Sequence, residues 1–311
     1  MKIRLRRAPK SEQQPIARAD RRKVMPQYLL PKRGLTMLAG RFASKQGGRG
    51  MLSTIRWFVR KYGVDMSEAA EPDVARYASF NDFFTRALKA GARPLADADL
   101  ICPVDGSISQ FGRIEHDQIL QAKGHRYSTT ALVGGDAMLA QRFNHGSFAT
   151  LYLSPRDYHR IHMPCDGRLV RMIHVPGDLF SVNPTTARGV PGLFARNERV
   201  VCVFERVHDE ARKEPGVFGL ILVGATIVGS MATVWHGAIN APRRIHHTGR
   251  VREWRYESEP LVLKKGDEMG RFMLGSTVVL LFPTGALEFD PSWEAGKTIR
   301  FGEAMACEAR N

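Results

Sequence analysis

The chain has 311 residues, of which 43% are apolar and 25% charged, a mix that can bury a core and excludes wholesale disorder. Its four cysteines, Cys102, Cys165, Cys202 and Cys307, stand far apart with no CxxC pair. This argues against a disulfide scaffold or a cysteine-rich zinc site, and the start of the chain does not read as a secretory leader, so a reducing compartment is expected. The net charge of +15 sits entirely in residues 1–61, where 17 Lys or Arg face only Glu12 and Asp20, and the remainder is balanced.

Residues 1–23 are basic and poor in apolar side chains, which predicts a mobile arm that seeks a negatively charged surface. Leu35, Leu38 and Phe42, then Leu52, Ile55, Phe58, Val59 and Tyr62, recur at helical spacing, so two amphipathic helices are expected on either side of a Gly47-Gly48 hinge. Arg56, Arg60 and Lys61 flank the second stripe. That suits a helix lying in a bilayer interface, although the same stripe would serve a helix packed on a main domain. Each cation near an anionic leaflet contributes about 1 kcal/mol, so the confinement of charge to this segment favours a membrane. Nucleic acid would attract the same charge, which by itself does not choose.

A helix is predicted over Asn81–Lys89, capped by Ser79, with Phe80, Phe83, Phe84 and Leu88 on one face. Beyond residue 100, short apolar runs alternate with turn signals such as Asp105-Gly106 and Asp166-Gly167. Strands are expected over Ala149–Leu153, Arg168–Val175, Arg199–Phe204, Phe218–Val223, Ile227–Val234 and Thr277–Phe282. Residues 216–235 carry no charge and are long enough to span a bilayer. Their four glycines and β-branched texture fit two buried strands better. The fold class expected is α+β: residues 1–63 form a basic arm and amphipathic helices, and residues 64–311 a strand-rich, mainly antiparallel catalytic domain.

Four segments hold chemistry-bearing residues: 103–106 (PVDG), 154–164 (SPRDYHRIHMP), 175–183 (VPGDLFSVN) and 273–277 (MLGST). Each has a plain reading alone. Asp105 before Gly106 suits a tight turn, Ser276 suits a strand start, and His159 with His162 lacks the third protein ligand that a catalytic zinc needs, so no metal is expected.

Together with VGATIVGS at 223–230 and GRFMLGST at 270–277, these runs resemble the bacterial, membrane-associated form of the phosphatidylserine decarboxylase family, over residues from about Gln27 to about Pro283. The resemblance implies a proenzyme that cuts its own backbone between Gly275 and Ser276, giving a β chain of residues 1–275 and an α chain of residues 276–311. It implies a self-cleaving triad of Asp105, His162 and Ser276, and it points to His159 as the proton donor in decarboxylation. Ser276 would become a covalent pyruvoyl group, which forms a Schiff base with phosphatidylserine and accepts the electrons of the departing carboxylate, the task that pyridoxal phosphate performs elsewhere.

The chemistry is sound in its own terms. A serine hydroxyl becomes a useful nucleophile when a histidine takes its proton and a carboxylate orients that histidine. Gly275 leaves the attacked carbonyl open. If residues 154–164 are extended, His159 and His162 face opposite sides of the strand, so both reach one site only if the backbone bends.

The expected partners are phosphatidylserine in an anionic membrane, the α chain for the β chain, and a second processed protomer in a homodimer, with no nucleic acid. The expected location is peripheral, at the cytoplasmic face of the cell membrane. The leader has one tryptophan, Trp57, so charge carries much of the anchoring, which predicts salt-sensitive binding. Arg156, Lys123 and Asn183 are candidates for gripping the headgroup. The rival readings are a pyruvoyl decarboxylase of a soluble amino acid, which the basic leader disfavours, and a non-enzymatic binder of lipid or nucleic acid.

Overall fold

A computed structural model describes residues 18–207, 216–227, 230–239, 249–256, 260–273, 276–285 and 287–308. Three helices lead: α1 (Arg18–Leu29), α2 (Lys32–Ser44) and α3 (Arg49–Tyr62). The arm expected over residues 1–23 is helical and docked from Arg18 onward, and its residues 1–17 lie outside the described residues. The docking is partly electrostatic, the Asp20 carboxylate accepting from Arg188 Nε and Nη2 and from Lys123 Nζ, all at 3.2 Å, and partly apolar, with Val24 buried in the core.

Gly47 and Gly48 have φ of +73° and +98°, the left-handed backbone that a side chain would resist, and they reverse the chain between α2 and α3. The two helices differ in where their apolar stripes go. On α3, Met51, Ile55 and Phe58 turn inward and pack with Phe80, Phe83 and Phe84, the Phe58 ring standing edge-on to all three. On α2, Leu35, Leu38 and Phe42 stay exposed, beside Leu29 at 86% exposure.

Helix α4 (Phe80–Phe84) starts at Ser79, whose hydroxyl accepts from Asp82 N at 3.1 Å. It stops sooner than its sequence predicts. From residue 87 the backbone pairs with residues 68–70, through Ala70 N to Ala87 O and Lys89 N to Glu68 O, and Leu88 bridges Ala69. Non-local pairing overrides the local helical period there.

The strand-rich half is built on β1 (Gly106–Arg113), β2 (Ser147–Leu153), β3 (Arg160–His162), β4 (Gly167–Val175), β5 (Arg199–Arg206), β6 (Val217–Val223), β7 (Glu268–Phe272) and β8 (Ser276–Phe282). Among the described residues, the main sheet runs Arg252–Arg255, β4, β5, β6, β8, β2, β1 and Thr298–Ile299, with Val262–Leu263 also on β4. All these pairings are antiparallel. A second sheet runs Gly237–Ala238, Met231–Thr233, β7, β3.

The main sheet is buried on both faces. Val278, Leu280 and Phe282 of β8 enter one core, and Val279 and Leu281 the other, so the strand reads as a continuous apolar run rather than an alternation. The uncharged stretch at 216–235 falls in the same pattern: it supplies β6 and the short strand Met231–Thr233, with residues 228–229 outside the described set. No helix among the described residues is long and apolar enough to cross a membrane.

Candidate active site

Ser276 opens β8 opposite Leu153, the last residue of β2. It is 0% exposed, and among the described residues its Oγ has no hydrogen-bond partner. An unpaired buried hydroxyl costs about 1–3 kcal/mol, so its position invites a chemical explanation. Gly275, the other half of the bond expected to break, lies outside the described residues.

His159 is brought to the same region by a closed loop of pairings. Leu153 is tied to Ser276 at one end, and at the other the Phe272 N–H donates to His159 O at 3.1 Å. The imidazole is 0% exposed and lies 4.1 Å, centroid to centroid, from Phe84. Its Nδ1 stands 2.8 Å from Asp157 O, a carbonyl that accepts only, so Nδ1 carries the proton. Nε2 is then a bare lone pair, and it too is buried without a partner. Burial lowers the pKa of this ring from 6.5 to about 3, with the Arg86 charge acting in the same direction.

His162 has different neighbours. Its Nδ1 donates to Gly266 O at 2.7 Å, and its Nε2 accepts from Tyr158 Oη at 3.0 Å. Its ring stacks on Phe301 at 3.7 Å. Asp105 lies on the other side of that residue: it accepts from Phe301 N at 2.8 Å and from Arg93 Nε and Nη2 at 3.1 and 2.6 Å. Asp105 and His162 therefore share Phe301 without a hydrogen bond between them, and neither bonds Ser276 in this arrangement. Burial lowers the His162 pKa, opposed by its bond to Gly266 O and by the charges of Glu268 and Asp105.

Gly106 does not serve a tight turn, as its dipeptide suggested. It begins β1, where a Cβ would meet Tyr152 O at 2.3 Å, so glycine lets β1 close against β2 beside Asp105.

Two of the three headgroup candidates have structural partners. Lys123 pairs with Asp20, and Asn183 caps a short helix through Thr186 N at 2.9 Å. Arg156 is 61% exposed and 3.7 Å from Asp157. The sequence reading missed Arg86, Arg93, Tyr158 and Phe301. For Arg86 one signal was available: its i+3 spacing from Phe83 sets a cation on an otherwise apolar face. Among the described residues, no group of three or more His, Cys, Asp or Glu side chains is placed to hold a metal ion.

The comparison with known proteins decides the family. A family model described as phosphatidylserine decarboxylase matches residues 80–307, and one described as PSD matches residues 22–63. The chain belongs to the phosphatidylserine decarboxylase family. It is 69% identical over 288 residues to the phosphatidylserine decarboxylase proenzyme of Methylibium petroleiphilum, covering 93% of this chain and 98% of the relative. The proenzyme of Dechloromonas aromatica is 67% identical over 291 residues, 94% of this chain and 99% of its own. That of Variovorax paradoxus is 69% identical over 288 residues, with 93% and 98% covered.

The buried histidines set a pH dependence. Below about pH 6.5 the unfolded chain protonates His159, whereas the folded chain refuses that proton until about pH 3. Its contribution to stability is complete above the unfolded value and is lost as pH falls toward the folded one. A Ser276→Ala chain should therefore lose denaturant resistance as pH falls from about 6.5 to about 4, and adding His159→Gln should flatten that slope. Equal slopes in the two chains would show that His159 is not held neutral.

Proposed function

We propose that the chain is the precursor of a phosphatidylserine decarboxylase, which cuts itself between residues 275 and 276 and converts phosphatidylserine to phosphatidylethanolamine and carbon dioxide. The observation that carries this reading is the Ser276 hydroxyl, buried and partnerless at the first residue of a central strand, in a chain about two-thirds identical to proenzymes of that name. The site suits a pyruvoyl group made from residue 276: a small carbonyl needs no polar partner where the hydroxyl has none. Such a group supplies an electrophilic carbonyl that takes up the substrate's primary amine and accepts the electron pair left by carbon dioxide.

The residues of the chain divide the remaining work. Ser276 Oγ attacks the carbonyl of residue 275, and His162, with Asp105 as the nearby anion, takes its proton. In the uncut chain His162 Nε2 is engaged by Tyr158, so this transfer requires that bond to be exchanged. Burial limits water at the site and so favours elimination over hydrolysis of the resulting ester, which frees the upstream chain as a carboxylate; one water then replaces the nitrogen left on residue 276, which departs as ammonia. In decarboxylation, His159 Nε2 is the atom that serves the substrate's α-carbon: Asp157 O fixes the other nitrogen, and the bare Nε2 takes a proton from the substrate's ammonium group as the amine enters the site and then delivers it to that carbon. A second reading has a specific observation behind it: His159 Nε2 lacks a partner where His162 Nε2 has one, which makes His159 the base for the cut as well.

The leader places the enzyme on its substrate. Leu29, Leu38 and Phe42 are 86%, 64% and 49% exposed, with Arg33, Arg41 and Lys45 nearby in the chain. This combination favours peripheral insertion into an anionic leaflet at the cytoplasmic face. Leu38→Asp should weaken binding to phosphatidylserine vesicles about tenfold or more, since a buried leucine contributes about 1.5–3 kcal/mol. Unchanged vesicle binding would exclude α2 from the inserted surface.

Processing and turnover separate the histidines. Ser276→Ala should run as a single chain and release no carbon dioxide. Asp105→Asn and His162→Ala should leave mostly uncut precursor, while His159→Ala should yield two chains and lose about 10²-fold or more in turnover. Uncut His159→Ala beside normally cut His162→Ala would transfer the cleavage role to His159, and normal cutting in Ser276→Ala would end the proposal.

A further inference from the structure

Four arginines, Arg86, Arg93, Arg156 and Arg300, line a cavity of about 230 Å³ together with Asp105, Asp157 and Tyr158. Three of them have carboxylate partners. Arg93 binds Asp105 and Glu68, Arg300 binds Glu68 at 3.1 Å, and Arg156 lies 3.7 Å from Asp157. Arg86 differs. It is 5% exposed, and among the described residues its Nε has no partner and its guanidinium makes one hydrogen bond, from Nη2 to Arg156 O at 3.3 Å, beside a cation–π contact 5.6 Å from the Phe83 ring centroid. Among the described residues, no carboxylate comes within 4.0 Å of it, and Asp105 and Asp157 act on it only from farther away. Burying a cation without a counter-ion is unfavourable enough that a missing anion is the natural explanation.

We propose that Arg86 is the receptor for the phosphodiester of the lipid headgroup. This rests on the reading above that Ser276 and His159 flank the reacting carbon. The substrate offers two anions, and their fates in the reaction distinguish them. The carboxylate leaves as neutral carbon dioxide, so a cation gripping it would stabilise the ground state more than the transition state and slow the reaction. The phosphodiester keeps its charge throughout and anchors substrate and transition state alike. It stands three bonds from the α-carbon, and Arg86 lies two residues beyond Phe84, whose ring packs against His159 at 4.1 Å between centroids. The planar fork of an arginine also suits two phosphate oxygens at once.

The product tests the assignment, because phosphatidylethanolamine retains the phosphodiester and lacks the carboxylate. Arg86→Met should raise the KM for dihexanoyl phosphatidylserine and the inhibition constant of dihexanoyl phosphatidylethanolamine together, each about 100-fold, and Arg86→Lys about tenfold. A raised KM with an unchanged product constant would assign Arg86 to the carboxylate, and no change in either would return it to a structural role; both outcomes overturn the proposal. Direct binding of the same product to the Ser276→Ala precursor, with and without Arg86→Met, gives this contrast even if the Met variant is not cut. That arm does not depend on the chemistry of residue 276, so a failure there falls on Arg86 alone.

Discussion

Strand β8 is hydrogen-bonded along both edges, to β2 over residues 276–282 and to β6 over residues 277–281, and the rest of the site depends on that double pairing. It fixes Ser276 at the point where β6 has already turned away, paired on one side only, with its hydroxyl buried. A backbone cut just before this residue leaves the strand itself in place. The segment after the cut stays registered between two strands of the segment before it, with its side chains in both cores, so a break in covalent continuity need not loosen the fold. The same burial that leaves the hydroxyl without a hydrogen-bond partner also limits water around an ester formed there.

Charge is placed around this centre with similar economy. Asp105 is held by Arg93 and by the backbone N–H of Phe301, which belongs to the segment following the proposed cut. The contact thus ties the two sides of residue 276 together through a side chain as well as through the sheet. His162 stacks on the same Phe301, so its position depends on chain segments from both sides of the cut. His159 instead leans on Phe84 of α4, the helix that also carries the buried face of α3. Through these contacts helix α3 and His159 are joined by one aromatic cluster, which in the proposed function couples the leader to the site.

Much of this was legible in the residues, and the gaps have physical causes. The strands at 199–206 and 276–282 follow from runs rich in β-branched residues and the one at 147–153 from an apolar, aromatic run, and the α+β class follows from their spacing. Periodicity finds α3 but does not say which way its stripe points: the decisive partners, Phe80, Phe83 and Phe84, lie about twenty residues away along the chain. The early end of α4 was hidden for the same reason, since it is set by pairing with residues 68–70. Resemblance named Asp105, His159, His162 and Ser276. It did not give the Phe301 link, the Tyr158 hydroxyl on His162 or the unpaired Arg86, because hydrogen bonds and missing counter-ions are properties of tertiary placement.

The claim beneath all of this is that residue 276 loses its nitrogen when the chain is cut. Intact-mass spectrometry of the purified, denatured protein tests it most directly. A small chain beginning at residue 276 and lighter by one ammonia than its sequence, beside a large chain ending at Gly275, is the expected result. A single full-length mass, or a small chain retaining an unmodified amino-terminal serine, in protein that turns over lipid would contradict it.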